Sequence, residues 1–326
     1  MKKQLLLLAL LVASTSFAGI YRGDVSPEKY RKLAAQKQFD CVGMVLDKYA
    51  VKQIGSCVLI GNKYVLSAAH LFIKSDIRQD TFYINKENKT TKTLEEGGIR
   101  VIAFDPVNMR PDEITEFVFR FNRHMYSGKR LMIYPAYLKR LTSGLDFDGD
   151  LALIELSDSV SDITSARLSS SPDELHAVFT GVGYGQSGAA DKPDEMGVYM
   201  EKIAGQNTID KISGFEVDGQ PVIMSSDFDH PTRKDCNKMG SPKPLPLEYI
   251  AGGGDSGGGI FRQIGNEWLL IGIAGGGPEA GTNISQLKKS GYYGQIMQST
   301  RVSPFIPWIH ETLKEFEQTD IKEGVN

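Results

Sequence analysis

The sequence predicts an all-β protein of sandwich or barrel architecture, with a short helix near its start and a longer one at its end. Three observations carry that prediction. Short β-type runs recur along nearly the whole chain, separated by turns that contain glycine. The strand–helix alternation that a parallel sheet needs is missing. The 326 residues are 41% hydrophobic and 24% charged, which suits a large core in two compact units or one fold built of two halves.

Residues 1–18 stand outside that fold. Lys2 and Lys3 precede an apolar run from Leu5 to Val12, and Ser16-Phe17-Ala18 follows. A basic start, a short apolar segment and small residues at −3 and −1 read as a secretory signal cut after Ala18. The run is too short to span a bilayer. The expected location is therefore secreted or periplasmic, with no membrane span after signal removal. A formal charge of −3 and the lack of a basic run argue against a nucleic-acid partner. Export permits disulfides. Cys41 and Cys57 flank a hairpin and form the candidate pair, which leaves Cys236 as a free thiol.

Ser26-Pro27-Glu28 opens a helix over 27–37, with a hydroxyl at the cap, proline in the first turn and an acid near the positive end. Tyr30, Leu33 and Ala34 share its apolar face. Strands are expected at 41–46, 55–60, 64–67, 81–84, 99–104, 130–134 and 151–156. A second series falls at 177–183, 197–203, 214–222, 258–262, 268–274 and about 291–297. Ser303-Pro304 begins the terminal helix, where Phe305, Trp308, Ile309, Leu313 and Phe316 make a buried stripe.

The chemistry concentrates in Gly252-Gly253-Gly254-Asp255-Ser256-Gly257-Gly258-Gly259. Glycine in a sheet supplies no side chain, so such clustering marks tight geometry or a close backbone approach. A serine presented this way has bare backbone N–H groups beside its hydroxyl, the layout of an acyl-transfer site. The hydroxyl is a weak nucleophile and requires a base with an orienting acid. Of five histidines, His124, His176, His230 and His310 read as surface or satisfied core residues. His70 differs: Ser67-Ala68-Ala69-His70 follows the second strand of a Gly61-Asn62 hairpin, and its small residues let the imidazole turn into a cleft. Asp150 stands directly before the apolar run Leu151–Leu156, where it would accept the His70 Nδ1 proton.

Other patterns fail on their own terms. Asp146-Phe147-Asp148-Gly149-Asp150 hints at a calcium loop, but its glycine is misplaced and Ser157 stands where a bidentate Glu is needed. No metal or other cofactor is expected. Gly183-Tyr184-Gly185-Gln186-Ser187-Gly188 matches a dinucleotide fingerprint, yet Pro193 and a polar loop follow where a helix must start. An α/β-hydrolase elbow at Ser256 would need an acid and then a histidine after it. Only Glu267 or Glu279 with His310 keeps that order, and His310 sits on the terminal helix.

Together, Ser67-Ala68-Ala69-His70, Asp150-Leu151-Ala152-Leu153 and Gly254-Asp255-Ser256-Gly257-Gly258 resemble the trypsin/chymotrypsin-like serine proteases, in that family's order of histidine, aspartate, serine. Lesser likenesses are Ile133–Tyr137, Gly181-Val182-Gly183-Tyr184-Gly185 and Val302–Ile309. Coverage runs from about Cys41 to Ile309.

The resemblance implies two six-stranded antiparallel β-barrels, over 39–165 and 166–303, with the site in the cleft between them. It makes His70 the general base and acid, Asp150 its orienter and Ser256 the nucleophile, with Gly254 and Ser256 supplying oxyanion N–H groups. The implied activity is a secreted serine endopeptidase acting as a monomer on protein or peptide substrates. A catalytically silent binding protein on the same scaffold is the alternative.

Departures matter as well. Leu71, Gly55 and Gly252 replace cysteines of the family pattern. Residues 85–130 hold insertions. The position matching the family's pocket floor is Ile250, and Gly275 and Gly277 match the strand lining the pocket and its entrance glycine, so the resemblance implies an apolar or small residue before the scissile bond. Asp255 would be buried, and its expected partner is the amine of Gly19 or Ile20 after signal removal, or a nearby basic side chain.

Overall fold

A computed structural model describes residues 19–84, 90–91, 99–142, 148–198, 200–275 and 291–323. The first half closes into a barrel of antiparallel strands, in the order Ala152–Leu156, Tyr64–Ser67, Gln53–Leu59, Val42–Asp47, Phe117–Phe121 and His124–Ile133. The last pairs back onto the first, so no edge is left open. Phe117–Phe121 falls inside the segment read as insertion. Its alternation is plain: Phe117, Phe119 and Phe121 are buried, while Val118 and Arg120 are half-buried.

The second half is a sheet running Ile203–Thr208, Val178–Gly183, Gly259–Ile264, Glu267–Ala274, Ile296–Arg301, Gln220–Asp227 and Lys211–Val217. Arg167–Leu168 adds parallel to Glu267–Ala274. Among the described residues its two ends do not pair, so this half is a half-barrel rather than the second closed six-stranded barrel expected. Other bonds span the gap. Gln206 N–H donates to Leu247 O at 2.7 Å, and Asn207 Nδ2 donates to Asp227 O at 2.8 Å and Tyr249 O at 3.0 Å.

Several expected elements shift. The strand expected over 214–222 is instead a hairpin turn. Lys211–Val217 and Gln220–Asp227 meet at Asp218 and Gly219, with φ of 50° and 73°, a left-handed pair that Asp-Gly adopts readily. The 197–203 expectation divides into Gly197–Val198 and Ile203–Thr208, and the last strand is Ile296–Arg301. The expected strands at 81–84 and 99–104 are the far ends of one long hairpin. Its strands Ile73–Ile84 and Ile99–Pro111 form a separate sheet with Thr90–Thr91. The first helix is Pro27–Ala34, the last Ile306–Glu323, and Pro135–Thr142 is a helix the sequence reading lacks. No described helix is long and apolar enough to cross a membrane.

One continuous core joins the halves, and Phe39 lies 5.4 Å from Phe261 and 5.1 Å from Trp268, ring to ring. The terminal helix crosses back onto the first barrel. There Phe316 stacks 6.4 Å from Tyr64, and Asp320 accepts from Lys63, Lys129 and Arg130. At the other end, Ile20–Tyr21 inserts as a strand, parallel to Gln186–Ala189 and antiparallel to Tyr249–Ile250. Behind it the buried Tyr30 donates its hydroxyl to Glu248 O at 3.1 Å.

The candidate disulfide does not form. Cys41, Cys57 and Cys236 are all free and buried. The register sets Gly43 opposite Cys57, while Cys41 pairs its carbonyl with Leu59, so the two thiols are diagonal rather than facing.

Candidate active site

His70 leaves the barrel through a short 3-10 turn, Ala69–Phe72, at the end of Tyr64–Ser67. Ala68, Ala69 and Phe72 are fully buried and anchor the turn, whereas the His70 side chain stays 38% exposed at the rim. Ala152 pairs with Ser67, which brings Asp150, two residues ahead of the Ala152–Leu156 strand, alongside the turn. Its carboxylate spends both oxygens on one residue: Oδ2 lies 2.6 Å from His70 Nδ1, and Oδ1 accepts the His70 backbone N–H at 2.8 Å. An ionised carboxylate can only accept, so Nδ1 carries the proton and Nε2 is left as the base.

Burial works to lower the His70 pKa, but the charge and hydrogen bond of Asp150 outweigh it and hold the imidazole above its ordinary value. Thr300 Oγ1 donates to Asp150 O at 3.3 Å from the second half.

The glycines of the serine loop are dictated by close approach. A Cβ on Gly257 would lie 2.0 Å from Ser56 O and 2.2 Å from Ser67 Oγ, and φ there is +86°. Gly254 has φ of +91°, a left-handed backbone that disfavours any side chain. The loop is tied to the first barrel by Ser56 N–H, which donates to Ser256 O at 2.7 Å, and to its own sheet by Gly257 N–H donating to Ala274 O at 2.6 Å. At Gly55, a Cβ would meet both Leu71 Cδ1 at 2.4 Å and Ser256 O at 2.8 Å. Thus the residue after His70 and the Ser256 carbonyl converge on one glycine.

Among the described residues, the N–H groups of Gly254 and Ser256 donate to no protein acceptor. Two bare donors therefore flank a half-buried serine. No hydrogen bond joins Ser256 Oγ to His70 among the described residues, so of the three the structure bonds only the histidine and the acid. Such bonds commonly tighten only when substrate is bound.

Asp255 is buried, and its Oδ2 accepts from Gly19 N at 2.5 Å, Gly252 N–H at 3.2 Å and the Tyr249 hydroxyl at 3.3 Å. No basic side chain pairs with it among the described residues, which removes that expected alternative. Burial raises its pKa to about 6 against the pull of those donors. The motif Gly181-Val182-Gly183 makes room for this group. A Cβ at Gly183 would sit 2.2 Å from Asp255 Oδ1, and one at Gly181 would sit 2.6 Å from the Tyr249 ring.

The pocket residues are only partly in view. Ile250 is buried in the second core cluster with Ile20, Ala274 and Met297. Gly275 backs the acid, since a Cβ there would come 2.8 Å from Asp150 Oδ2. Gly277 lies outside the described residues. The remaining histidines stay apart from the site: His124, His176 and His310 are exposed, and His230 Nδ1 accepts from Thr232 and Arg233 N–H. Sequence reasoning named the Gly19 nitrogen that donates to Asp255 but missed Ser56 and Tyr249, which join the site only through tertiary contacts.

Compared with known proteins, the chain matches no protein-family model and no curated protein.

Proposed function

We propose that the protein is a secreted serine endopeptidase of trypsin-like type, acting through an acyl-enzyme. The observation that carries this reading is the Asp150 carboxylate spent wholly on His70, across from a serine whose loop offers two unpaired N–H groups. In the proposed reaction Ser256 Oγ attacks the scissile carbonyl carbon while His70 Nε2 takes the hydroxyl proton. The carbonyl oxygen becomes an oxyanion on the N–H groups of Gly254 and Ser256. Collapse breaks the C–N bond, and His70 gives its proton to the leaving amine. Water then enters by the same steps reversed, releasing the acid and restoring the serine.

Asp255 belongs to the same reading. A cut after Ala18 would convert the Gly19 nitrogen, already against the carboxylate, into an ammonium. The apolar Ile250 supports cleavage after apolar or small residues, and a peptide library cut chiefly after arginine would overturn that part. A silent scaffold is the rival reading, favoured by the missing Ser256–His70 bond. The test is covalent labelling by a fluorophosphonate, with Ser256→Ala as control. Labelling of the native protein that the substitution abolishes is expected; absence of labelling in protein starting at Gly19 refutes the hydrolase and leaves the binding scaffold.

A further inference from the structure

Ser56 is fully buried in the Gln53–Leu59 strand of the first barrel, and every polar atom it owns is committed. Its hydroxyl accepts the Tyr184 N–H at 2.8 Å and donates to Gly254 O at 3.0 Å. Its N–H donates to Ser256 O at 2.7 Å, and its carbonyl accepts the Ser67 hydroxyl at 2.7 Å. A hydroxyl has one proton, and a backbone N–H cannot accept it. Because Tyr184 takes a lone pair, the Ser56 proton has one direction to go, to Gly254 O.

One residue from the first half thus holds the carbonyls of both residues whose N–H groups form the oxyanion site, Gly254 O through its hydroxyl and Ser256 O through its backbone N–H. Gly254 is the joint that most needs such a hold, since a glycine at φ +91° has no side chain to limit its rotation. We infer that Ser56 is a positioning residue for transition-state stabilisation: the relay from Tyr184 N–H through the Ser56 hydroxyl to Gly254 O fixes the angle at which the loop presents its donors. It acts through Gly254 and touches no substrate. The inference rests on the hydrolase reading above.

Losing an oxyanion donor outright costs about 10²–10³ in kcat, so loosening one calls for a smaller loss. In Ser56→Ala, kcat for p-nitrophenyl acetate, expressed per fluorophosphonate-titrated site, should fall about 10- to 100-fold with KM within about threefold. Affinity for phenylboronic acid, whose tetrahedral adduct puts an oxygen on the same donors, should fall in parallel. The acid limb of the pH profile should stay in place, because the His70–Asp150 pair is untouched. Ser56→Cys keeps the shape but donates weakly, and it should lie between; it also serves if the alanine variant does not fold. Failure of the wild type to label would sink the hydrolase reading itself. A labelled wild type with Ser56→Ala and Ser56→Cys turning over at wild-type rate per site would overturn this inference alone.

Discussion

Protein beginning at Gly19 should differ from protein carrying two extra residues ahead of it, and the difference should depend on pH. In the extended form the Gly19 nitrogen is a neutral amide, and Asp255, wholly buried, titrates at about 6. The ordinary value is near 3.9. A raised pKa means that the folded state holds its proton more tightly than the unfolded state. The associated stability is fully present below about pH 4 and is lost as pH rises through 6. At about 1.4 kcal/mol per unit, the loss amounts to about 3 kcal/mol by pH 7.

Starting the chain at Gly19 replaces the amide by an ammonium 2.5 Å from Oδ2, which favours the charged carboxylate and removes that penalty. Urea unfolding of the two forms at pH 4, 6 and 8 should therefore show curves that converge in acid and separate at pH 8, the Gly19 form being the more stable. On the proposed hydrolase reading, its turnover of an ester substrate should also fall again once the ammonium loses its proton at alkaline pH. Identical stability–pH curves together with identical activity would refute the reasoning.

Four further outcomes follow from the geometry. The acid limb of kcat/KM should lie above pH 6.5, because Asp150 holds the His70 proton, and Asp150→Asn should cut kcat by about 10⁴ while leaving KM nearly unchanged. Arg301→Met should destabilise by about 3–5 kcal/mol in urea melts, since the fully buried Glu174 would lose that guanidinium and keep, among the described residues, the Ser303 hydroxyl as its side-chain donor. Asp320→Asn should cost about 1 kcal/mol, measured by thermal melting. Its carboxyl is held below the usual range by Lys129 and Lys63, so its contribution is present above about pH 4 and disappears as pH falls further; a substituted protein with an unchanged acid-unfolding midpoint would contradict this.

What the sequence made legible follows from how far apart the cooperating residues are. Tyr64–Ser67 was readable to the residue, because its turn and its Ser-Ala-Ala exit are written in consecutive positions. The loop at Gly254 and Gly257 was legible because close approach leaves no choice of residue. By contrast, Phe117–Phe121 was obscured by the long segment around it, although its Phe-x-Phe-x-Phe alternation was there to be counted. The open second half was not legible either. It depends on Asn207 reaching Asp227 and Tyr249, contacts no local pattern announces. The Cys41–Cys57 pairing failed on register, where an offset of two residues separates a bond from a near miss.

The long hairpin that follows His70 gives the molecule an interchangeable part. The chain departs the barrel at Phe72 and rejoins it through Asp112, whose N–H meets Phe72 O at 2.8 Å, and the excursion between pairs as a sheet of its own. Closure entropy grows only logarithmically with length, so lengthening, trimming or exchanging this excursion would tax the barrel little. Selection can thus remodel the excursion without renegotiating the framework that aims the imidazole.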